Sequence, residues 1–311
     1  MEKPIRIGVQ SLHTDELLSL KELFREPGIT LYTWHGNQYD PHEIRACDVL
    51  VLFAKKHWPY LKFDKPYLLI LADYVSETKA IDLSKSRFFS FSGYRYRENT
   101  LFRGYLCGSE ELLQTAHNGN VRAVFYPKKY PFAGLYADLA ETPAPANPRS
   151  IITLINHYAK TAAKLKWSRP ENSYRAYRHI AKNTPGFDFN HFGAPARQVS
   201  FEESVALQFH ARYTLHVKYW GHVCNAVVKS LALGTPVIMD EVTFRKGRYG
   251  AYIRHGENGL VFKDKHEIIR YLCDPAEKTT WQHLKNVCLT EAPAWHFPYT
   301  PEQKDAWKQL L

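Results

Sequence analysis

Two kinds of stretch in this sequence place reactive side chains where a strand would hand over to a helix. In YWGHVCNAVVKSLALGTPVIMDE (219–241), a loop of Tyr219, Trp220, Gly221 and His222 runs into a helix whose first turn has no acid. Lys218 stands just before the loop, and Asn225 and Lys229 lie inside the helix. The open N–H groups and positive dipole end of a helix N-terminus attract an anion, and a glycine lets backbone approach it. Lys, His and Asn add charge-assisted hydrogen bonds. The stretch therefore has the shape of a diphosphate cradle. It equally has the shape of a buried β-α-β unit closed by a C-cap glycine, Gly234, with His222 as a capping or core histidine. Lys229 is either a cation for ribose or phosphate oxygens or a solvated helix residue. The second kind of stretch is an apolar run ending in an acid or imidazole. YLLILA (67–72) delivers Asp73, and the loop after IRIGVQ (5–10) holds His13, with His35 next in order after ITLYTW. Such groups serve as general bases, or as plain helix N-caps.

Cations supply the next signal. The 311 residues carry a formal net charge of +10, and it is uneven. Residues 1–150 hold 19 basic against 17 acidic residues, and 151–311 hold 22 against 14. Between 149 and 182, eight basic residues, among them Lys160 and Lys164, face the single acid Glu171. Lys160 and Lys164 share a face if their loop is helical. Residues 85–103 interleave Arg95 and Arg97 with Tyr94 and Tyr96 in a run of further cations and phenylalanines, and Lys128 and Lys129 follow in KKYPF. Cations among aromatics contact phosphates and stack on bases. The same mixture arises where a buried aromatic strand ends in a solvated basic loop, and a basic face suits polyanions, anionic lipid or a phosphorylated small molecule alike.

The elements that must carry these groups alternate. Short apolar runs at 5–10, 29–34, 48–54, 67–72, 87–92, 104–109 and 121–126 are separated by helix-like segments such as TDELLSLKELFRE and SEELLQTAH, with Thr14 and Ser109 as expected N-caps. That alternation predicts a parallel sheet covered by helices. A Pro- and Ala-rich segment, ADLAETPAPANPRS, then reads as a linker, and the pattern restarts with strands at 151–155, 187–192, 213–218, 236–240 and 259–262. The expected fold class is α/β, with two Rossmann-like doubly wound domains facing a cleft: 1–140, 141–278, and a helical tail at 279–311 packing back on the first. No run approaches the length of a membrane span, no secretory signal opens the chain, and five scattered cysteines form no C-x-x-C pair. A cytoplasmic protein without integral membrane association is the expectation, in the host cytoplasm if phage-encoded.

NAVVKSLALGTPVIMDE followed by YIRHGENGLVF and HEIIRYL resembles the nucleotide-sugar half of glycosyltransferases with the two-domain GT-B fold. Members run a helix into an A-x-G-x-P-V-I turn and then an I-x-x-G-x-N-G-x-x-F segment. The resemblance covers 219–262 in motif and about 150–275 in architecture. It implies an enzyme that moves a sugar from a nucleotide-sugar donor, UDP-linked in the first instance, to a hydroxyl acceptor, with no further cofactor. It implies donor contacts from Lys160, Lys164, Lys218, Trp220, Gly221, His222, Asn225 and Lys229. Many retaining members carry two glutamates eight positions apart in this region, and here those positions are Gly221 and Lys229, so sugar and ribose recognition must differ. With no D-x-D motif in the chain, no metal is expected, and leaving-group charge falls to cations and the helix dipole.

In the acceptor half, Asp73 is the expected base of an inverting enzyme and His13 its runner-up. Size, fold and charge are similar to phage DNA glycosyltransferases that decorate a hydroxymethylated pyrimidine. That reading makes DNA the acceptor and partner, with Tyr94, Arg95, Tyr96, Arg97, Lys128 and Lys129 on it, and requires an extruded base. Two alternatives stand beside it: the same chemistry on a cell-surface saccharide or lipid-linked acceptor, and a non-catalytic nucleic-acid-binding protein. A nicotinamide dehydrogenase is disfavoured, because IRIGVQSLHTDEL has one glycine and no G-x-G-x-x-G.

Overall fold

The structure is a computed structural model. It describes residues 3–12, 14–53, 58–71, 101–108, 110–118, 121–130, 148–156, 170–193, 197–219, 223–296 and 298–311. The chain divides into two compact units, Met1–Lys129 with Pro298–Leu311, and Tyr130–Phe297. The unit boundaries therefore fall at 129/130 and 297/298, where the sequence placed them near 140 and 278.

The first unit holds strands β1 (Ile5–Ser11), β2 (Ile29–His35), β3 (Val49–Phe53), β4 (Tyr67–Leu71), β5 (Phe102–Cys107) and β6 (Ala123–Phe125). They form one parallel sheet in the order β2-β1-β3-β4-β5-β6. Alternate side chains go to opposite faces. Leu50, Leu52 and Leu69 pack with Ile44 of helix α2 (Pro41–Ala46) and Leu112 of α3 (Glu110–Asn118). Val51, Leu68 and Ile70 pack with Leu20 and Leu23 of α1 (Thr14–Leu23) on the other side. Being covered on both faces is why β3 and β4 read as unbroken apolar runs instead of alternating ones. Trp307 and Leu310, in and just after a final helix (Pro301–Lys308), complete that second face, with Trp307 edge-on to Phe24 at 4.7 Å.

The second unit repeats the plan with β7 (Ser150–Leu154), β8 (Asp188–Phe192), β9 (Tyr213–Leu215), β10 (Val237–Asp240) and β11 (Gly259–Phe262), all parallel, in the order β8-β7-β9-β10-β11. Its helices here are α4 (Pro170–Asn183), α5 (Phe201–His210), α6 (Asn225–Ala232), α7 (Glu241–Gly247), α8 (Lys265–Leu272) and α9 (Glu277–Glu291), so that the final helix is α10. Ile180 of α4 and Ile268 of α8 share one core with Ile151 and Leu215. Val205 of α5 and Val227 and Leu231 of α6 share the other with Val237 and Met239.

In both sheets the second strand lies on one side of the first and the third on the other. Right-handed crossovers then put the helix after the first strand and the helix after the second on opposite faces. The gap between β1 and β3, and that between β7 and β9, are the topological switch points, where doubly wound sheets take ligands beyond their strand carboxyl ends.

Two sequence motifs prove to be structural at this level. Gly234 follows α6 with φ +66°, and a Cβ there would come within 2.6 Å of Leu289 Cδ2, so the turn needs glycine. Asn258 is buried and ties its own turn, accepting from Arg254 N–H at 2.8 Å and donating to Tyr252 C=O at 3.1 Å.

Candidate functional site

The carboxyl edge of the second sheet is built around the segment after β9. Expected to run to 218, the strand ends at Leu215, although His216 N–H still donates to Ile238 C=O at 2.8 Å. Beyond it two backbone N–H groups and one side chain are held by side chains from three other elements. Lys218 N–H donates to Thr243 Oγ1 at 2.9 Å, and Tyr219 N–H donates to Ser173 Oγ of α4 at 3.0 Å. The Tyr219 hydroxyl donates to Asp240 Oδ2 at 2.8 Å, while Asp240 Oδ1 accepts Thr243 N–H at 2.8 Å and caps α7. Burial, then the neighbouring Asp240 carboxylate, pushes the Tyr219 phenol up, so it remains a donor.

Helix α6 opens at Asn225 with Cys224 as N-cap, whose own side chain makes no capping hydrogen bond. Its first turn has no acid. The positive end of its dipole is thus not neutralised from within the helix, and the Lys218 cation lies in the segment leading to it. The end of β7, across the switch point, is shaped by Gly193, which has φ +150°. A Cβ on Gly193 would stand 2.4 Å from Ile155 C=O, so only glycine lets the chain after β8 close against the end of β7.

Of the donor-side residues named from the sequence, three lie among the described residues. Lys218 is half-buried. Asn225 is the first helical residue, also half-buried, and its carbonyl accepts from the Tyr130 hydroxyl at 3.2 Å. Lys229 is 5% exposed and points toward α5, where its ammonium donates to Ser204 Oγ at 2.7 Å and stands 5.2 Å from the Phe201 ring centre. It is neither at the helix mouth nor a solvated helix residue. Lys160, Lys164, Trp220, Gly221 and His222 lie outside the described residues, as do Asp73, His13, Tyr94, Arg95, Tyr96 and Arg97.

Lys128 and Lys129, expected on an acceptor-facing surface, are turned inward. Lys128 is 3% exposed with its ammonium 3.9 Å from Glu16 of α1. Lys129 is 7% exposed, donates to Pro298 C=O at 3.3 Å and stands over the Tyr299 ring. Burial lowers its pKa. The pair of lysines reads as a basic surface in sequence, but tertiary contacts with α1 and with 298–299 engage both cations. At the other end of the first sheet's expected acceptor edge, His35 is exposed at the end of β2. Nearby, the fully buried Gln10 accepts from Phe53 N–H at 3.0 Å and donates to Gly36 C=O at 3.1 Å, fixing the ends of three strands to one another.

Sequence reading missed Ser173, Thr243, Asp240, His216 and Tyr249 as supports of this site. Their partners are 21 to 46 residues away in the chain, so no local spacing marks them. Among the described residues no group of three or more His, Cys, Asp or Glu is placed to hold a metal, and no helix is long and apolar enough to cross a membrane.

No protein-family model matches the sequence, and no curated protein sequence matches it. Solved structures do match the fold. Sucrose-phosphate synthase from Thermosynechococcus elongatus is 14% identical with a TM-score of 0.56, covering 98% of each chain. HepE from Anabaena, solved with UDP-glucose, is 10% identical with a TM-score of 0.57 and the same coverage. The pneumococcal O-GlcNAc transferase GtfA, solved with UDP and GlcNAc, is 12% identical with a TM-score of 0.54; the match covers 84% of this chain but 56% of GtfA, so the chain spans little more than half of that protein's length. These likenesses, with two parallel doubly wound α/β units, show the GT-B fold.

Proposed function

We propose that the protein is a nucleotide-sugar-dependent glycosyltransferase, taking a sugar from a UDP-linked donor and passing it to a hydroxyl acceptor. The observation that carries this reading is the acid-free first turn of α6, with no capping bond from its N-cap side chain, following β9 at the switch point of the second sheet, with Lys218 in the segment between. GtfA and HepE, which share the fold, were solved with UDP or UDP-glucose. In the reaction the bond between the sugar anomeric carbon and the diphosphate oxygen breaks, the acceptor oxygen bonds to that carbon, and the acceptor hydroxyl gives up its proton. Negative charge grows on the departing diphosphate. A helix N-terminus, Lys218 and the basic run containing Lys160 and Lys164 suit that charge. Asn225 and the 220–222 loop complete the proposed donor contacts. Lys229 is left out of them because its ammonium is held by Ser204. Asp73, with His13 second, is the proposed base for the acceptor proton.

For the acceptor, the reading to test first is a 5-hydroxymethylated pyrimidine in DNA, supported by the cation and aromatic run at 85–103. Lys128 and Lys129 no longer support it, since both are buried. The experiment offers a panel of nucleotide sugars with hydroxymethylcytosine DNA, unmodified DNA and a set of saccharide and lipid-linked acceptors, read by mass spectrometry, with Asp73→Ala alongside. A mass gain on modified DNA alone, lost in the variant, is the expected result. Transfer to a saccharide or lipid-linked acceptor instead overturns the DNA acceptor but keeps the enzyme. No donor binding and no transfer overturns the enzyme itself.

A further inference from the structure

The mouth of α6 has one support that the proposed donor contacts do not include. Tyr249, in the single 3-10 turn Tyr249–Ala251 after α7, is 1% exposed. Its hydroxyl oxygen accepts the Cys224 N–H at 3.0 Å and lies 3.1 Å from Nε2 of His216, which is fully buried. Cys224 is where α6 begins, and His216 is where the chain leaves β9. One phenolic oxygen therefore ties together the two ends of the segment that carries Lys218. The ring that presents this oxygen is itself wedged. A Cβ on Gly247 would meet its Cε2 at 2.1 Å, so glycine at the end of α7 is what lets the ring lie where it does. An edge-to-face contact with the His216 ring, at 5.8 Å between centroids, fixes it from the other side.

A loop anchored only through its flanking elements would spread over many conformers, each aiming Lys218 and the first amides of α6 differently. Pinning both ends to one rigid atom fixes where the chain leaves β9 and where α6 begins, beside the anchors that Thr243 and Ser173 give Lys218 and Tyr219. We propose that Tyr249 is a positioning residue for the donor: it touches no part of the nucleotide sugar, and it acts by holding the β9-to-α6 segment so that Lys218 and the α6 amides converge on the diphosphate. The inference rests on the donor reading above.

The test uses the full chain and UDP as probe, with Tyr249→Phe removing a single oxygen and keeping the wedged ring. Tyr213→Phe is the structural control. It removes another buried hydroxyl from the same sheet, bonded to Glu277 and Tyr271 at 2.7 Å each, but at the amino end of β9, away from the helix mouth. Titration calorimetry should show UDP binding weakened about tenfold in Tyr249→Phe, the scale of one lost buried hydrogen bond, and changed less than about twofold in Tyr213→Phe. Amide hydrogen exchange at 223–226 should quicken in Tyr249→Phe alone. Equal weakening in both variants, or in neither, overturns the positioning role. His216→Leu, which strips the same oxygen of its β9 partner, repeats the measurement if Tyr249→Phe does not fold, with the same outcomes. A wild-type chain that binds no UDP overturns the donor reading itself, and is distinct from a wild type that binds UDP beside a Tyr249→Phe chain that binds it equally well.

Discussion

Acidification should place a proton on His216 only at the expense of the fold. The imidazole is fully buried at the end of β9; one nitrogen faces the Tyr249 hydroxyl, and the other, Nδ1, has no hydrogen-bond partner among the described residues. Burial, and secondarily the Lys218 cation, push its pKa down from 6.5 to about 3. Between these values the unfolded chain binds a proton that the folded chain refuses, so stability rises with pH across the window and falls as pH drops through it. The slope approaches about 1.4 kcal/mol per pH unit for one proton, and from pH 7 to pH 5 the loss from this residue is about 2 kcal/mol. His216→Gln keeps a side chain able to hydrogen-bond Tyr249 and removes the titration. Urea unfolding of wild type and variant at pH 7, 6 and 5 isolates the residue, because every other ionisable group is common to the two proteins. The stability difference between wild type and variant should shift by about 2 kcal/mol in favour of the variant on going from pH 7 to 5. Curves that stay parallel over this range would refute the buried, neutral histidine.

Three further outcomes follow from particular contacts. Gly193→Ala forces a Cβ against the Ile155 carbonyl in a backbone region that side chains avoid, so it should lower stability by about 2 kcal/mol or more, and weaken UDP binding with it, as read by thermal melting and calorimetry. Glu277→Gln leaves the Arg212 guanidinium, 10% exposed and packed on Trp281, without its carboxylate. A cost of about 3–5 kcal/mol in urea unfolding is expected, largely recovered in an Arg212→Met, Glu277→Leu double variant. Lys229→Met should leave UDP affinity within about twofold and stability unchanged or raised, since a buried cation gives way to an apolar chain of similar length; a tenfold loss of affinity would return Lys229 to the donor site.

Much of the framework was legible because it is written in local patterns. Unbroken apolar runs such as VLVLF and YLLIL announce strands covered on both faces, and β3 and β4 lie within a residue of their expected bounds. PENSYRAYRHIAKN forms α4 over its whole length, opening at the Pro that is tolerated in a first turn. Short helices escaped this reading. PHEIRA (α2) and EVTFRKG (α7) span fewer than two full turns or just reach them, too short to show a period, although Asp40 and Asp240 cap them as N-cap chemistry would require. At the proposed site, a Lys-containing stretch at a helix mouth marked the segment in sequence, while the groups that hold the segment were invisible.

What the sequence determined by itself was the class of architecture, two parallel α/β sheets, and the acid-free, glycine-containing segment after β9 at which donor binding is proposed. Both follow from periodicity, from glycine, and from the absence of acid in one helical turn, and none of these needs a distant neighbour. Which side chains face that segment was decided only in three dimensions. Lys128, Lys129 and Lys229 look alike in sequence to cations ready for phosphate, yet each is buried and engaged, by Glu16, by the Pro298 carbonyl and Tyr299, and by Ser204. Tyr249 looks like one more core aromatic, yet its single oxygen joins the end of β9 to the start of α6. A charge or hydroxyl has its role set by what lies within a few ångströms, and in a doubly wound fold those neighbours come from crossovers tens of residues away.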